Sequence, residues 1–179
     1  MALVLTGSGV ITGLSSQLSD ANMPAGSVLQ VVQANTRTYS TTSTTGSWID
    51  SGISASITPT SSSSKILVIA APSVLIDKVS SHDNLAFLIV DRSGTKLAAS
   101  FTNLRAYDRG GSGNQLQTKP SVSFVDSPST TSSITYKIYS WLPSSGAITV
   151  SFNSTEGASP SVDGLTECAS TLTLMEIAG

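Results

Sequence analysis

Wherever this chain is strongly patterned, its apolar residues recur at every second position. Ile53, Ala55 and Ile57 alternate with Ser54 and Ser56. Val122 and Phe124 alternate with Ser121 and Ser123, and Ile148, Val150 and Phe152 with Thr149 and Ser151. Leu172 and Leu174 alternate with Thr171 and Thr173. A period of two sends successive side chains to opposite faces of a strand, whereas a helix needs a period near 3.6. No segment sustains the helical period. The alternation therefore predicts half-buried strands with Ser and Thr on their wet faces, where β-branched Thr suits a pleated surface.

Further strands follow at 28–34 (VLQVVQA), with 36–42 continuing in β-favouring Thr and Tyr. The segment 133–142 sets Ile134, Tyr136 and Ile138 on one face and Lys137, Tyr139 and Trp141 on the other. Two segments break the alternation by being apolar on both faces, KILVIAAPSVLIDK (65–78) and LAFLIVD (85–91). Pro72 must mark a bend, a bulge or an edge in the first, because it cannot donate to a ladder. Gly94 in RSGTK signals a turn, with LAASF (97–101) as the return strand. Residues 58–64 read as a turn and loop, and 103–119 and 154–167 as two long loops. The sum is about eight to ten strands in an antiparallel β-sandwich of jelly-roll type. Doubly apolar strands are unusual in a sheet with one solvated face. They fit best if the second face packs on another subunit.

Residues 1–22 stand apart. They are rich in Gly, Ser and Thr, carry no charge before Asp20, and space Leu3, Leu5, Val10, Ile11 and Leu14 without a helical period. Such a segment cannot fold alone. It reads either as a frayed end or as an arm that orders when those five apolar residues dock on a partner. The β-sandwich is then expected over 23–179.

Composition removes several classes. Charged residues are 11% and the net charge is −2, so no basic excess exists to neutralise nucleic-acid phosphates. One Cys and one His exclude an internal disulfide, a Cys-rich metal site and a two-His motif. The start MALVLTGSGV lacks a basic n-region, and no apolar run approaches the ~20 residues of a membrane span.

Catalytic chemistry finds little to stand on. Cys168 and His82 have no nucleophile signature around them; Cys168 reads as a small buried hydrophobe before the last strand, and His82 as a turn residue. There is no G-x-S-x-G elbow. Asp77 and Asp83 flank a turn without a calcium loop, and GGSG at 110–113 precedes no helix that could complete a phosphate cradle. Asn153-Ser154-Thr155 matches a glycosylation sequon. No enzyme, metal or cofactor is expected. Recognition has better support: Arg105, Tyr107, Asp108 and Arg109 cluster in the Gly-rich loop, a set suited to polar ligands such as sugars, though an ordinary solvated loop fits equally. Trp141, facing away from the Ile134 set, reads as surface, interface or part of a second core, with the interface preferred because Trp is enriched there.

Five segments carry a family resemblance: NMPAGSVLQVVQ (22–33), SWIDSGISASITPTSSSSKILV (47–68), RSGTKL, FVDSPSTTSSITYKIY (124–139) and STLTLMEIAG (170–179). They resemble virion proteins of tailed bacteriophages, particularly phages of marine bacteria and cyanobacteria, often labelled tail fibre or structural protein. ITPTSSSSKILV and TLTLMEI are the most distinctive parts, and LTGSGVITG resembles the leading segment of phage attachment proteins. The resemblance implies a trimeric β-rich virion module. The implied function is a tail fibre or receptor-binding component, anchored through 1–22 to another virion protein, with the β domain touching a host surface receptor such as a glycan. The tail is favoured over the capsid surface. Three alternatives stand beside it: a capsid decoration protein, a glycan-degrading tailspike, against which the sparse acids argue, and a cellular β-sandwich binding module.

Overall fold

A computed structural model of the chain describes residues 23–78, 84–106, 115–143, 148–154 and 168–179. Twelve strands account for the regular structure: β1 (Val28–Thr36), β2 (Ser40–Thr42), β3 (Trp48–Ile57), β4 (Lys65–Ala71), β5 (Val74–Lys78), β6 (Asn84–Arg92), β7 (Thr95–Ala106), β8 (Gln115–Thr118), β9 (Val122–Asp126), β10 (Ile134–Trp141), β11 (Ile148–Phe152) and β12 (Ser170–Ile177). All pair antiparallel.

Hydrogen bonding groups them in the orders β1-β12-β4-β9, β2-β11-β5-β8 and β3-β10-β6-β7. The first two orders are one bent surface. β1 runs on into β2, β4 into β5, and β8 into β9, while β11 and β12 occupy one lane. The register shows it: β2 pairs Ser40 with Phe152 and β1 pairs Thr36 with Ser170, so the lane between resumes where it stopped. All four lanes break at the same level, at 37–39, Pro72–Ser73, 119–121 and after Phe152. Pro72 and Pro120 sit in two of these breaks, where no ladder N–H is needed. Counted as eight lanes in chain order, the sheets run 1-8-3-6 and 2-7-4-5, the strand order of a jelly roll.

Alternation decides what lies between the sheets. Ile53 and Ile57 of β3, Ile66 and Val68 of β4, Ile76 of β5, Val90 of β6, Ile138 of β10, Val150 and Phe152 of β11, and Leu172 and Leu174 of β12 form one continuous buried cluster. Each such side chain contributes roughly 1.5–3 kcal/mol when fully buried. The doubly apolar segments are not buried equally on both faces. In β4 the inward set is Ile66, Val68 and Ala70, and Leu67 and Ile69 are half-buried on the outside.

Two strands carry bulges held by serine. Register slips in β3 between Lys137 and Tyr139 of its partner β10. There Gly52 takes φ +81°, and buried Ser51 donates to the Ile138 carbonyl at 2.7 Å. In β7 the slip opposite Leu88–Val90 is bridged by buried Ser100, which accepts from Val90 N at 2.7 Å and donates to Leu97 O at 2.6 Å. The β6–β7 hairpin turns on Ser93 (φ 46°) and Gly94 (φ 99°), the left-handed pair that a two-residue turn requires.

Three sequence expectations are corrected here. The 103–119 loop is shorter than expected, because β7 extends to Ala106 against β6 and β8 adds Gln115–Thr118 against β5. The β-favouring run 36–42 is interrupted, since only Ser40–Thr42 forms β2. Cys168 is half-buried rather than buried, and its sulfur accepts from Gln117 Nε2 at 3.4 Å.

Candidate functional site

The expected anchoring residues Leu3, Leu5, Val10, Ile11 and Leu14 lie outside the described residues, as do Tyr107, Asp108, Arg109 and His82. Arg105 is described: it sits near the end of β7, exposed, opposite Leu85. The sequon Asn153 is buried, so it offers no acceptor surface.

Asn153 instead locks the break in the bent sheet. At φ 57° it turns the chain after β11. Its Oδ1 accepts from Ser170 N at 3.0 Å and Ser170 Oγ at 2.5 Å, and its Nδ2 donates to Thr38 O at 2.8 Å. Ser170 Oγ also accepts from Ser73 N at 2.8 Å, and Asn153 N donates to Ser73 O at 3.0 Å. Three interrupted lanes are thus tied around Asn153 and Ser170. Beside this break lies an open recess of about 530 Å³, walled by Ser73, Gln117, Thr118, Lys119, Cys168 and Ala169. Its walls bring no carboxylate or imidazole to Cys168 among the described residues.

The acidic side chains near the core are occupied by structural partners. Glu176 is fully buried; it accepts from Gln30 Nε2 at 2.6 Å, Thr60 N at 2.7 Å and Thr60 Oγ1 at 2.8 Å. Burial would raise its pKa, but these donors outweigh it and hold the carboxyl below the usual glutamate range. Asp126 at the end of β9 receives Arg92 Nη1 at 2.8 Å on both oxygens and the Tyr136 hydroxyl at 2.7 Å, joining the two sheets. Burial, together with the bond to Asp126, pushes the Tyr136 phenol well above its ordinary value, so it stays a donor. Buried Asp91 pairs with Lys96 at 2.9 Å and caps the hairpin through Gly94 N at 2.8 Å. No three His, Cys, Asp or Glu side chains gather as a metal site among the described residues. These groups serve architecture, since each is spent on a partner that holds strands or turns together.

The outer face of the β3-β10-β6-β7 sheet is different. Trp141 lies opposite Trp48 on β3 and opposite Phe87 on β6, so all three share the solvent side. Phe87 meets Trp141 with ring centroids at 5.4 Å and stacks on Phe101 at 5.2 Å. Phe101 is 51% exposed. The next position carries Tyr139, with Lys96 Nζ 3.8 Å from its ring centroid. The far end of the same face is polar: Ser56 and Thr135 hydroxyls bond at 2.8 Å, and Lys137 pairs with Asp50 at 2.8 Å. Sequence reasoning placed Trp141 on this side but had no means to add Trp48, Phe87 and Phe101, because cross-strand register decides that meeting. The opposite outer face carries a smaller apolar row, Val31–Met175–Leu67–Val125, one residue per lane. Its two ends, Val31 and Val125, are 54% and 57% exposed.

No family model matches the chain, and no curated protein does. Among solved structures, that of the infectious bursal disease virus Gx strain aligns over 85% of this chain and 43% of the viral chain, at 10% identity and TM-score 0.28. The Gt strain structure aligns over 84% and 38%, at 14% identity and TM-score 0.25. The VP2 subviral particle of the same virus aligns over 84% and 38%, at 13% identity and TM-score 0.27. The chain therefore spans well under half of the viral chains it matches. At such low scores the fold rests on the hydrogen-bonded strand order given above.

Proposed function

We propose that this chain is a non-enzymatic structural protein of a tailed-bacteriophage virion. The observation that carries the reading is the pair of apolar outer sheet faces on a low-charge jelly roll whose described core acids are all consumed in structural pairs. A module of that kind is built to be held by neighbours. The family resemblance in the strand segments supports the same reading.

In its finer form the protein is a homotrimeric tail fibre or receptor-binding component. Residues 1–22 attach it to another virion protein. The outward end, with Arg105 and the following Tyr107, Asp108 and Arg109, contacts a host surface glycan through several weak copies gaining avidity. A second reading, capsid decoration, draws on the apolar row of the β1-β12-β4-β9 face, which would suit lateral packing in a shell.

Gold-labelled antibody or cryo-electron microscopy of purified virions tests both. Density at the tail supports the attachment reading. Density spread over the capsid replaces it with decoration, and absence from the particle overturns both. Release of oligosaccharides from host polysaccharide would overturn the non-enzymatic assignment.

A further inference from the structure

We infer that the apolar end of the β1-β12-β4-β9 outer face is the resting place of the chain's own residues 1–22 in the free protein. The inference goes beyond the function proposed above, because it places the attachment segment before another virion protein takes it up.

The face itself is divided. Register sets two apolar rows side by side at one end of this sheet, Val28–Ile177–Lys65 and Val31–Met175–Leu67–Val125. Val28, Val31 and Val125 are 51%, 54% and 57% exposed. The next row along is Gln33–Thr173–Ile69–Ser123, where the Gln33 amide donates to Thr173 Oγ1 at 3.0 Å. Scattered exposed valines are ordinary on a protein surface. A contiguous group confined to one end of a face marks a surface that something covers.

That end is where the chain enters the sheet. β1 begins at Val28, and just before it Gly26 N donates to Ala178 O and Ala178 N donates to Ser27 O, both at 2.8 Å. Ser27 N also donates to Pro24 O at 3.0 Å, and Gly26 takes φ +89°. Pro24–Ser27 is therefore a turn with glycine at the position that requires positive φ. Such a turn reverses the chain. It aims the segment before Pro24 back toward the sheet instead of away from it.

Length and charge fit the same occupant. A row of four strands about 4.8 Å apart is only about 14 Å wide. The 22 residues, fully extended, reach up to about 70 Å. Their single charged side chain is Asp20, close to the turn, and the single charge in the two apolar rows is Lys65, at the same end of the sheet. Opposite signs thus stand on the entry side of both partners. The apolar residues Leu3, Leu5, Val10, Ile11 and Leu14 precede Asp20 in an otherwise uncharged stretch. A tethered segment meets this face at a high effective concentration, an advantage that a separate molecule lacks.

The experiment uses the full chain. Thermolysin, which cuts before Leu, Ile and Val, is applied to the free protein, and cleavage within residues 1–22 is followed by mass. Val125→Asp puts a charge on the row from a strand far away in sequence, at a side chain exposed enough to leave far-ultraviolet circular dichroism unchanged. It should speed cleavage within 1–22 about tenfold, since cutting tracks the undocked population. Phe101→Asp, on the other sheet, should leave the rate unaltered. A second readout comes from the face. Peroxide oxidation of Met175 should be several-fold faster when Val10→Ser, Ile11→Ser and Leu14→Ser are combined. Equal cleavage of wild type and Val125→Asp overturns the proposal, as does Met175 oxidation indifferent to the triple substitution. Protection that disappears on dilution overturns it in favour of docking on a second copy. All of this is read on free protein, so finding the protein at the tail, on the capsid or absent from the particle does not alter it, and the two proposals fail separately.

Discussion

Replacing Glu176 by Gln changes one atom and should cost much of the stability of this fold. The carboxylate accepts at 2.6 Å from Gln30 Nε2, and at 2.7 and 2.8 Å from Thr60 N and Oγ1. The Gln30 amide nitrogen also donates to Thr58 O at 2.7 Å. A glutamine at 176 can keep its oxygen toward Thr60, but its NH₂ then meets the Gln30 NH₂. Flipping Gln30 repairs that contact and sets its oxygen against the Thr58 carbonyl. Turning the new amide the other way points NH₂ at the Thr60 N–H. No arrangement satisfies every group. Bonds to a charged acceptor are worth about 1.5–3 kcal/mol each and are not additive, so a net loss of about 2–4 kcal/mol is expected. A domain of this size holds about 5–15 kcal/mol in total. Each kcal/mol moves Tm by about 2–4 °C, which gives a fall of roughly 4–16 °C.

Urea titration and thermal melts of both proteins at neutral pH measure the loss. The pH series tests its cause. The folded pKa of Glu176 is lowered, so its contribution is present above the unfolded value of about 4.3 and is lost as pH falls through the lower folded value. The gap between wild type and Glu176→Gln should therefore narrow in acid. A loss under about 1 kcal/mol at neutral pH, or a gap that does not change down to acid pH, would refute the reasoning.

Other perturbations follow from the same bonds. Tyr136→Phe keeps the ring and removes a donor to Asp126, costing about 1.5–3 kcal/mol in urea melts. Because the folded phenol is raised, wild type should lose stability as pH climbs above about 10 while the Phe variant lacks that decline. Ser100→Ala strands the buried Val90 N–H at the β7 bulge and should cost about 1–3 kcal/mol by the same assay. Asn153→Ala removes the side-chain bonds to Thr38 and Ser170 and leaves the main-chain bond to Ser73; a melt lowered by less than Ser100→Ala would show that the break is held by something else.

Strands whose identity depends only on local alternation were legible. Ile53, Ala55 and Ile57, or Ile148, Val150 and Phe152, announce their buried face through period two, and both sets are buried. Pro72 was legible as an interruption because its missing N–H bars it from a ladder anywhere. Glu176 was readable in principle: it continues the inward parity of Leu172 and Leu174, yet an acid at an inward position looks like a strand ending until its donors are known. Those donors come from β1 and from the β3–β4 connection, far away in sequence. The extra strand in 103–119 was missed because its Arg, Asn and Gln residues hide a short alternation that pays off only beside β5 and β6.

The sequence by itself determined an all-β chain, the inward face of most strands, and the absence of a charge balance suited to phosphate. Those properties are local, set by side-chain period and composition. Only the tertiary structure decided that β11 and β12 share a lane and that four breaks align. It alone brought Trp48 and Trp141, far apart in sequence, into one register pair. Pairing is non-local, and a slip of one residue would have sent every side chain of a strand to the other face.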